Sequence, residues 1–179
     1  MKADDLIILS ADDDQCADVL MTTVFKRAGL VHPLRFVRDG EEAIAYLGGD
    51  GVFGDRARFP FPMALLLDLN MPRKDGFEVL AWIRQQPRLK RLHVYVLSGS
   101  NRVEDIERAL HLGANAYLVK PGNLGGLMVM AAGLFAWLRL NHFSSMIDPA
   151  GVELPAPAPA DNGARLPEPV GPLLLDRSG

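Results

Sequence analysis

Asp12, Asp13, Asp68, Ser98 and Lys120 are chemically capable side chains that each follow a short apolar run. The runs are Leu6-Ile7-Ile8-Leu9, Leu65-Leu66-Leu67, Leu92 to Leu97 and Ala116 to Val119. Short apolar runs bounded by turn signals suit strands buried on both faces. If those strands are parallel, their carboxyl ends share the edge where open α/β sheets bind ligands. Three carboxylates, a hydroxyl and an ammonium would then meet in one crevice. The carboxylates cannot all be ionised at close range without a compensating cation. An oxygen-only ligand set selects a hard ion, and Mg²⁺ suits a site that keeps several waters. A carboxylate beside such an ion can attack phosphorus and form an aspartyl phosphate. The metal and an ammonium would neutralise the equatorial oxygens of a loose transition state. Lys120 supplies the fixed charge, and Ser98 a donor to a phosphoryl oxygen.

Each piece has a plainer meaning alone. Leu65 to Gly76 reads equally as a strand followed by an Asx-type turn, with Asp68 a local acceptor. Asp12-Asp13 could simply complement a helix N-terminus. Lys120-Pro121 could be a solvated turn, and Ser98-Gly99-Ser100 a loop. The convergence of four strand ends on one edge separates the readings.

The intervening elements must deliver that convergence. Residues 14–28 read as a helix with Ala17, Leu20, Val24 and Phe25 inward, and Lys26, Arg27 and Gly29 at its end. Leu34 to Val37 is a strand, Asp39 an N-cap, and Glu41 to Leu47 a short helix with acids in its first turn. Gly48 to Pro62 is a long loop, of the kind that is functional or mobile. A helix follows from about Gly76 to Gln86, carrying Phe77, Leu80 and Ile83, with Asp75 as its N-cap. Residues 102–112 form another, with Val103, Ile106 and Leu110 expected inward and Gly113 as its stop. The last helix covers roughly Leu124 to Asn141. Five strands alternating with five helices imply right-handed parallel crossovers, hence an α/β doubly wound sheet in flavodoxin-like order 2-1-3-4-5.

Composition narrows the class. The chain has 179 residues, 49% apolar, with net charge −3 and one cysteine. A core is affordable, sequence-independent nucleic-acid binding is disfavoured, and Cys16 cannot form an internal disulfide. No signal peptide is evident. The uncharged stretch Pro121 to Leu138 is broken by glycines and reads as a buried helix rather than a membrane span, so a cytoplasmic location is expected. Residues 1–143 read as one domain and 144–179 as a tail rich in proline and glycine, with Leu173-Leu174-Leu175 near its end.

On Asp12-Asp13, Asp68 within LLLDLNMPRKDG, Ser98 within VYVLSGS, and Tyr117-Leu118-Val119-Lys120-Pro121 after Gly113-Ala114, the chain resembles receiver domains of bacterial two-component response regulators. The resemblance covers about residues 5–141. It implies reversible phosphorylation of Asp68 by a sensor histidine kinase. It also implies Mg²⁺ held by Asp12, Asp13, Asp68 and the backbone carbonyl of Asn70, and a switch pair of Ser98 and Tyr117. The long loop and DLNMPRKDG resemble stand-alone regulators paired with bacterial phytochromes. Ser98 stands where threonine is commoner, Ser10-Ala11 where a larger apolar residue is usual, and Asp14-Gln15 where proline is frequent.

The switch would work by phosphorylated Asp68 drawing in the Ser98 hydroxyl, so that Tyr117 rotates inward from outside and reshapes the face of helix four, strand five and helix five. Leu127, Met128, Val129, Met130, Leu134, Phe135, Trp137 and Leu138 surround the last helix, which suggests one side on the sheet and another in a homodimer. The protein is expected to be a phosphoacceptor that assists its own phosphorylation and dephosphorylation, not an enzyme acting on others. A pseudo-receiver acting only as an interaction module is the main rival. A Mg²⁺ phosphohydrolase is disfavoured because Asn70 stands where such enzymes carry a general acid. No glycine-rich phosphate loop follows the first strand to support nucleotide binding.

Overall fold

The computed structural model describes residues 7–27 and 34–146. Its elements are β1 (Ile8–Ala11), α1 (Gln15–Arg27), β2 (Leu34–Val37), α2 (Gly40–Gly48), β3 (Ala64–Leu67), α3 (Gly76–Gln85), β4 (His93–Ser98), α4 (Val103–His111), β5 (Ala116–Val119) and α5 (Leu124–Met146). The strands form one parallel sheet in the order β2-β1-β3-β4-β5. The doubly wound order read from the alternating pattern is the observed one.

Strand alternation builds two cores. Leu9, Ala11, Leu65, Leu67 and Val94 point to one face, where Ala43, Leu47, Val79, Leu80 and Ile83 of α2 and α3 cover them. Ile8, Ala64, Leu66, Tyr95 and Leu97 point to the other, against Met21, Val24 and Phe25 of α1 and Leu127, Ala131 and Leu134 of α5. The central strands are buried on both faces, which is why they read as unbroken apolar runs. Ser10 and Ala11 lie inside β1 and are buried, so the strand runs directly up to Asp12.

Helix boundaries follow local chemistry. The Asp39 carboxylate accepts the Glu42 N–H at 2.8 Å and caps α2. Asp75 and Glu78 form a reciprocal capping box at α3, satisfying N–H groups the helix cannot satisfy itself. The helix α5 extends to Met146, three residues past the domain boundary placed at 143. The rest of the expected tail, with Leu173 to Leu175, lies outside the described residues.

Three expectations change. The segment from Gly48 to Pro62 is a packed lobe: a 3₁₀ turn at Gly51–Gly54 brings Phe53 and Phe59 onto Tyr46, with ring centroids 5.1 to 6.1 Å apart. Arg56 donates to the carbonyls of Tyr46 and Leu47, filling acceptors left at the end of α2, and to that of Phe59 within the lobe. In α1, Val24 and Phe25 are buried as expected, but Met21 takes the inward place expected of Leu20, which is partly exposed. In α4, Ala109 faces the sheet while Val103 and Leu110 are 62% and 47% exposed. A small residue at the contact lets α4 lie close to Val96 and Phe77, and Arg108 stacks over the Phe77 ring at 4.0 Å. The larger apolar side chains are thereby turned outward.

Candidate functional site

Backbone hydrogen bonds carry the sheet one step beyond its strands and fix the reactive residues. The Asp12 N–H donates to Val37 O at 3.1 Å, Asp68 N–H to Ala11 O at 2.9 Å, and Lys120 N–H to Ser98 O at 2.8 Å. Asp12 and Asp68 are buried, Ser98 is wholly so, and Asp13 reaches solvent. The four strand ends thus meet at one edge.

Lys120 organises the group. Its ammonium donates to Asp12 Oδ2 and to Asp68 Oδ2, each at 2.7 Å. Burial alone would lower the Lys120 pKa, but the hydrogen bonds and charges of Asp12 and Asp68 together outweigh it, and the net direction is upward from 10.5. Asp12, Asp13 and Asp68 each offer an oxygen, all within 4.8 Å of one another. One ammonium cannot balance three carboxylates. The remaining negative charge, the hard donors and the open side at Asp13 fit a hydrated divalent cation.

The loop after β3 shapes the rim. Asn70 donates its N–H to Asp68 Oδ1 at 3.3 Å. A Cβ on Gly76 would lie 2.3 Å from the Asp68 carbonyl oxygen, so only glycine lets α3 start this close to the site. Arg73 holds a left-handed backbone, φ 65°, and its guanidinium pairs with buried Asp39. Arg38 pairs in turn with Asp18 of α1. These pairs tie the loops after β2 and β3 and the start of α1 together behind the acids.

Ser98 Oγ accepts the Ser100 N–H at 3.3 Å, and the Tyr117 hydroxyl donates to Ser100 O at 2.9 Å. The Tyr117 ring packs with the cluster of Leu69, Phe77, Val96 and Ala109. It is therefore already attached to the loop after β4, whereas the expected cycle began with the ring outside. The Ser100 hydroxyl, which flanks the site, donates to the Asp105 carboxylate at 2.6 Å, and Asp105 was not foreseen as part of the site. Their five-residue separation matches no helix-capping spacing.

A flavodoxin-like sheet with a carboxylate cluster and a lysine at its carboxyl edge defines a class of phosphoryl-handling or cation-binding α/β proteins. Residues 8–132 match the model of the response regulator receiver domain, and the chain belongs to that family. It is 40% identical over 134 residues to response regulator Rcp1 of Synechocystis, across 74% of this chain and 89% of that protein. The fold is similar to a response regulator in red light signalling of R. palustris, with TM-score 0.70 and 40% identity over 75% of this chain and 92% of that one. It is also similar to the phosphorylated cyanobacterial phytochrome response regulator RcpA, with TM-score 0.68 and 36% identity over 74% and 92% of the two chains. A solved form of Rcp1 is Mn²⁺-bound, and that chain shares 37% identity and a TM-score of 0.65 with this one, over 84% of this chain and 99% of that one. Among the described residues no helix is long and apolar enough to cross a membrane.

Proposed function

We propose that this protein is a phosphoacceptor switch in which Asp68 takes a phosphoryl group from a sensor histidine kinase. The carrying observation is the Lys120 ammonium bridging Asp12 and Asp68, beside a third acid and a buried hydroxyl. The Asp68 carboxylate attacks phosphorus as the donor's bond to phosphorus breaks, leaving an acyl phosphate and a freed donor. Lys120 leaves the Asp68 oxygen for a phosphoryl oxygen, and the Ser98 hydroxyl donates to another. Asp12, Asp13, Asp68 and the Asn70 carbonyl would hold Mg²⁺, which when bound supplies positive charge to the phosphoryl oxygens. The protein acts on itself rather than on a separate substrate.

The kinase is proposed to be of the phytochrome class, because the relatives described as red-light or phytochrome regulators share the fold over most of their length. Output is by protein contact through α4, β5 and α5, as a homodimer through α5. Two features support the dimer: Leu127, Ala131 and Leu134 cover the sheet, while Val129 stands 74% exposed elsewhere on the helix.

Incubation with Mg²⁺ and a small phosphodonor should add one phosphoryl group by mass, and Asp68→Asn should abolish it. A gain that survives the substitution would sink the assignment. Absence of both Mg²⁺ binding and phosphorylation would favour a pseudo-receiver. Phosphotransfer assayed against a panel of kinases tests the partner class separately.

A further inference from the structure

Away from the acids, on the face of the sheet opposite α5, a cleft of about 360 Å³ separates the lobe after α2 from the end of α3. Buried Leu47 and Leu89 line it together with two aromatic rings, half-buried Trp82 and Phe61, the latter 46% exposed. The charged residues lining it are Arg56 and Arg88, and no acid is among them. Arg56 lies 5.9 Å from the centre of the Phe61 ring, and exposed Lys90 and Arg91 continue the positive charge past Arg88. Tryptophan and arginine around an apolar floor are the residues that carry most binding energy where one chain segment meets another. The surface is thus suited to an apolar segment that brings its own carboxylates.

We propose that the occupant is residues 166–176 of the same chain, the run LPEPVGPLLLD, docking on its own domain. That run carries Glu168 and Asp176 and no basic residue, so its charge complements Arg56 and Arg88. Leu173, Leu174 and Leu175 supply apolar side chains for the two rings. Pro167, Pro169 and Pro172 restrict the backbone in advance, which lowers the entropy lost on docking. The chain also reaches. Helices α2 and α3 end toward the amino edge of the sheet, beside the cleft, and α5 runs in the same sense to its end at Met146. Crossing from the α5 layer to the α2–α3 layer takes about 20 Å, two layer spacings. The spacer of residues 147–165 spans up to about 60 Å at ~3.1 Å per residue. Tethering holds the segment at roughly millimolar effective concentration, so a contact too weak to retain a free peptide still fills the cleft. The same arithmetic favours the chain's own segment over that of a second copy. Any other partner for this cleft must displace it. Cleft and acid cluster lie at opposite edges of the sheet, so the docking stands whether or not Asp68 accepts a phosphoryl group.

The test uses the full chain labelled with fluorotryptophan and read by fluorine NMR. Two tryptophans are present, Trp82 and Trp137, and Trp82→Phe identifies the resonance that matters. Combined Leu173→Ser, Leu174→Ser and Leu175→Ser should shift the Trp82 line, although these positions are remote from Trp82 in the sequence. Glu168→Arg with Asp176→Arg should shift it in the same direction, with circular dichroism unchanged in both variants. In an Arg88→Glu background, where the segment is already released, the serine substitutions should move the line no further. A labelled serine variant mixed with an equal amount of unlabelled wild type should keep its shifted line, because each wild-type segment is held by its own domain. A Trp82 line that neither set of tail substitutions moves would overturn the docking. Serine substitutions acting as strongly in the Arg88→Glu background as in wild type would overturn its assignment to this cleft. A line returning to the wild-type position in the mixture would overturn docking within one chain and give the segment to a second copy.

Discussion

The ammonium of Lys120 is the residue on which the site's electrostatics turn, because it neutralises two buried carboxylates at once. Lys120→Met leaves Asp12 and Asp68 facing each other with no cation. A fully buried pair broken in this way costs 3–5 kcal/mol; with Asp13 and solvent at the rim, about 1–3 kcal/mol is expected. Added Mg²⁺ should restore more melting temperature in this variant than in wild type, measured by thermal denaturation with and without the ion. Equal Mg²⁺ effects would show that lysine and metal do not share the same charge. The pH dependence follows from the raised Lys120 pKa. A group raised on folding stabilises fully below its unfolded value and loses that contribution as pH climbs through the folded value. The stability gap between wild type and Lys120→Met should be flat from about pH 7 to 9 and narrow only above 10.5.

At the scale of elements, placement of the acids depends on how closely α3 starts beneath Asp68. Gly76→Ala would put a methyl 2.3 Å from the Asp68 carbonyl oxygen and 2.8 Å from Leu69 Cα. Both are backbone atoms, so no rotamer change relieves the contact and the β3–α3 turn must shift. A loss of about 1–3 kcal/mol is expected in chemical denaturation, with slower phosphorylation as the carboxylate moves. Wild-type stability in Gly76→Ala would mean that the turn accommodates a side chain freely. The lobe from Gly48 to Pro62 behaves differently, since its order comes from aromatic packing and from Arg56 capping α2, away from the acids. It stiffens the scaffold rather than forming a lid over the site.

For the whole molecule, the open question is what covers the outward sides of α4 and α5. Val103, Leu110 and Val129 are exposed on these helices, and exposed apolar side chains grouped near a switch element suit contact with a second molecule. Val129→Asp introduces a charge where the monomer is exposed, so the fold should be unchanged by circular dichroism. If α5 forms the proposed dimer, light scattering at tens of micromolar should show wild type as a dimer and the variant shifted to monomer. A monomeric wild type would remove the dimer from the proposal. Phosphorylation can bias association through α5 only by differential contact in the two states.

The apolar runs and the glycine and proline punctuation determined the sheet, its order and the residues at its edge, because a strand buried on both faces must be apolar throughout and its parallel partners must end together. Asp12, Asp13, Asp68, Ser98 and Lys120 were legible for that reason, as were the caps at Asp39 and Asp75. Tertiary structure decided what periodicity leaves open. Helix α4 turned its small Ala109 inward because close approach to Val96 and Phe77 outweighs the larger apolar area of Val103 and Leu110. Likewise, one ammonium came to serve two acids, the lobe after α2 closed on its own aromatics, and Tyr117 met Ser100. Each of these depends on distances between residues far apart in the chain, which spacing along one strand or one helix does not encode.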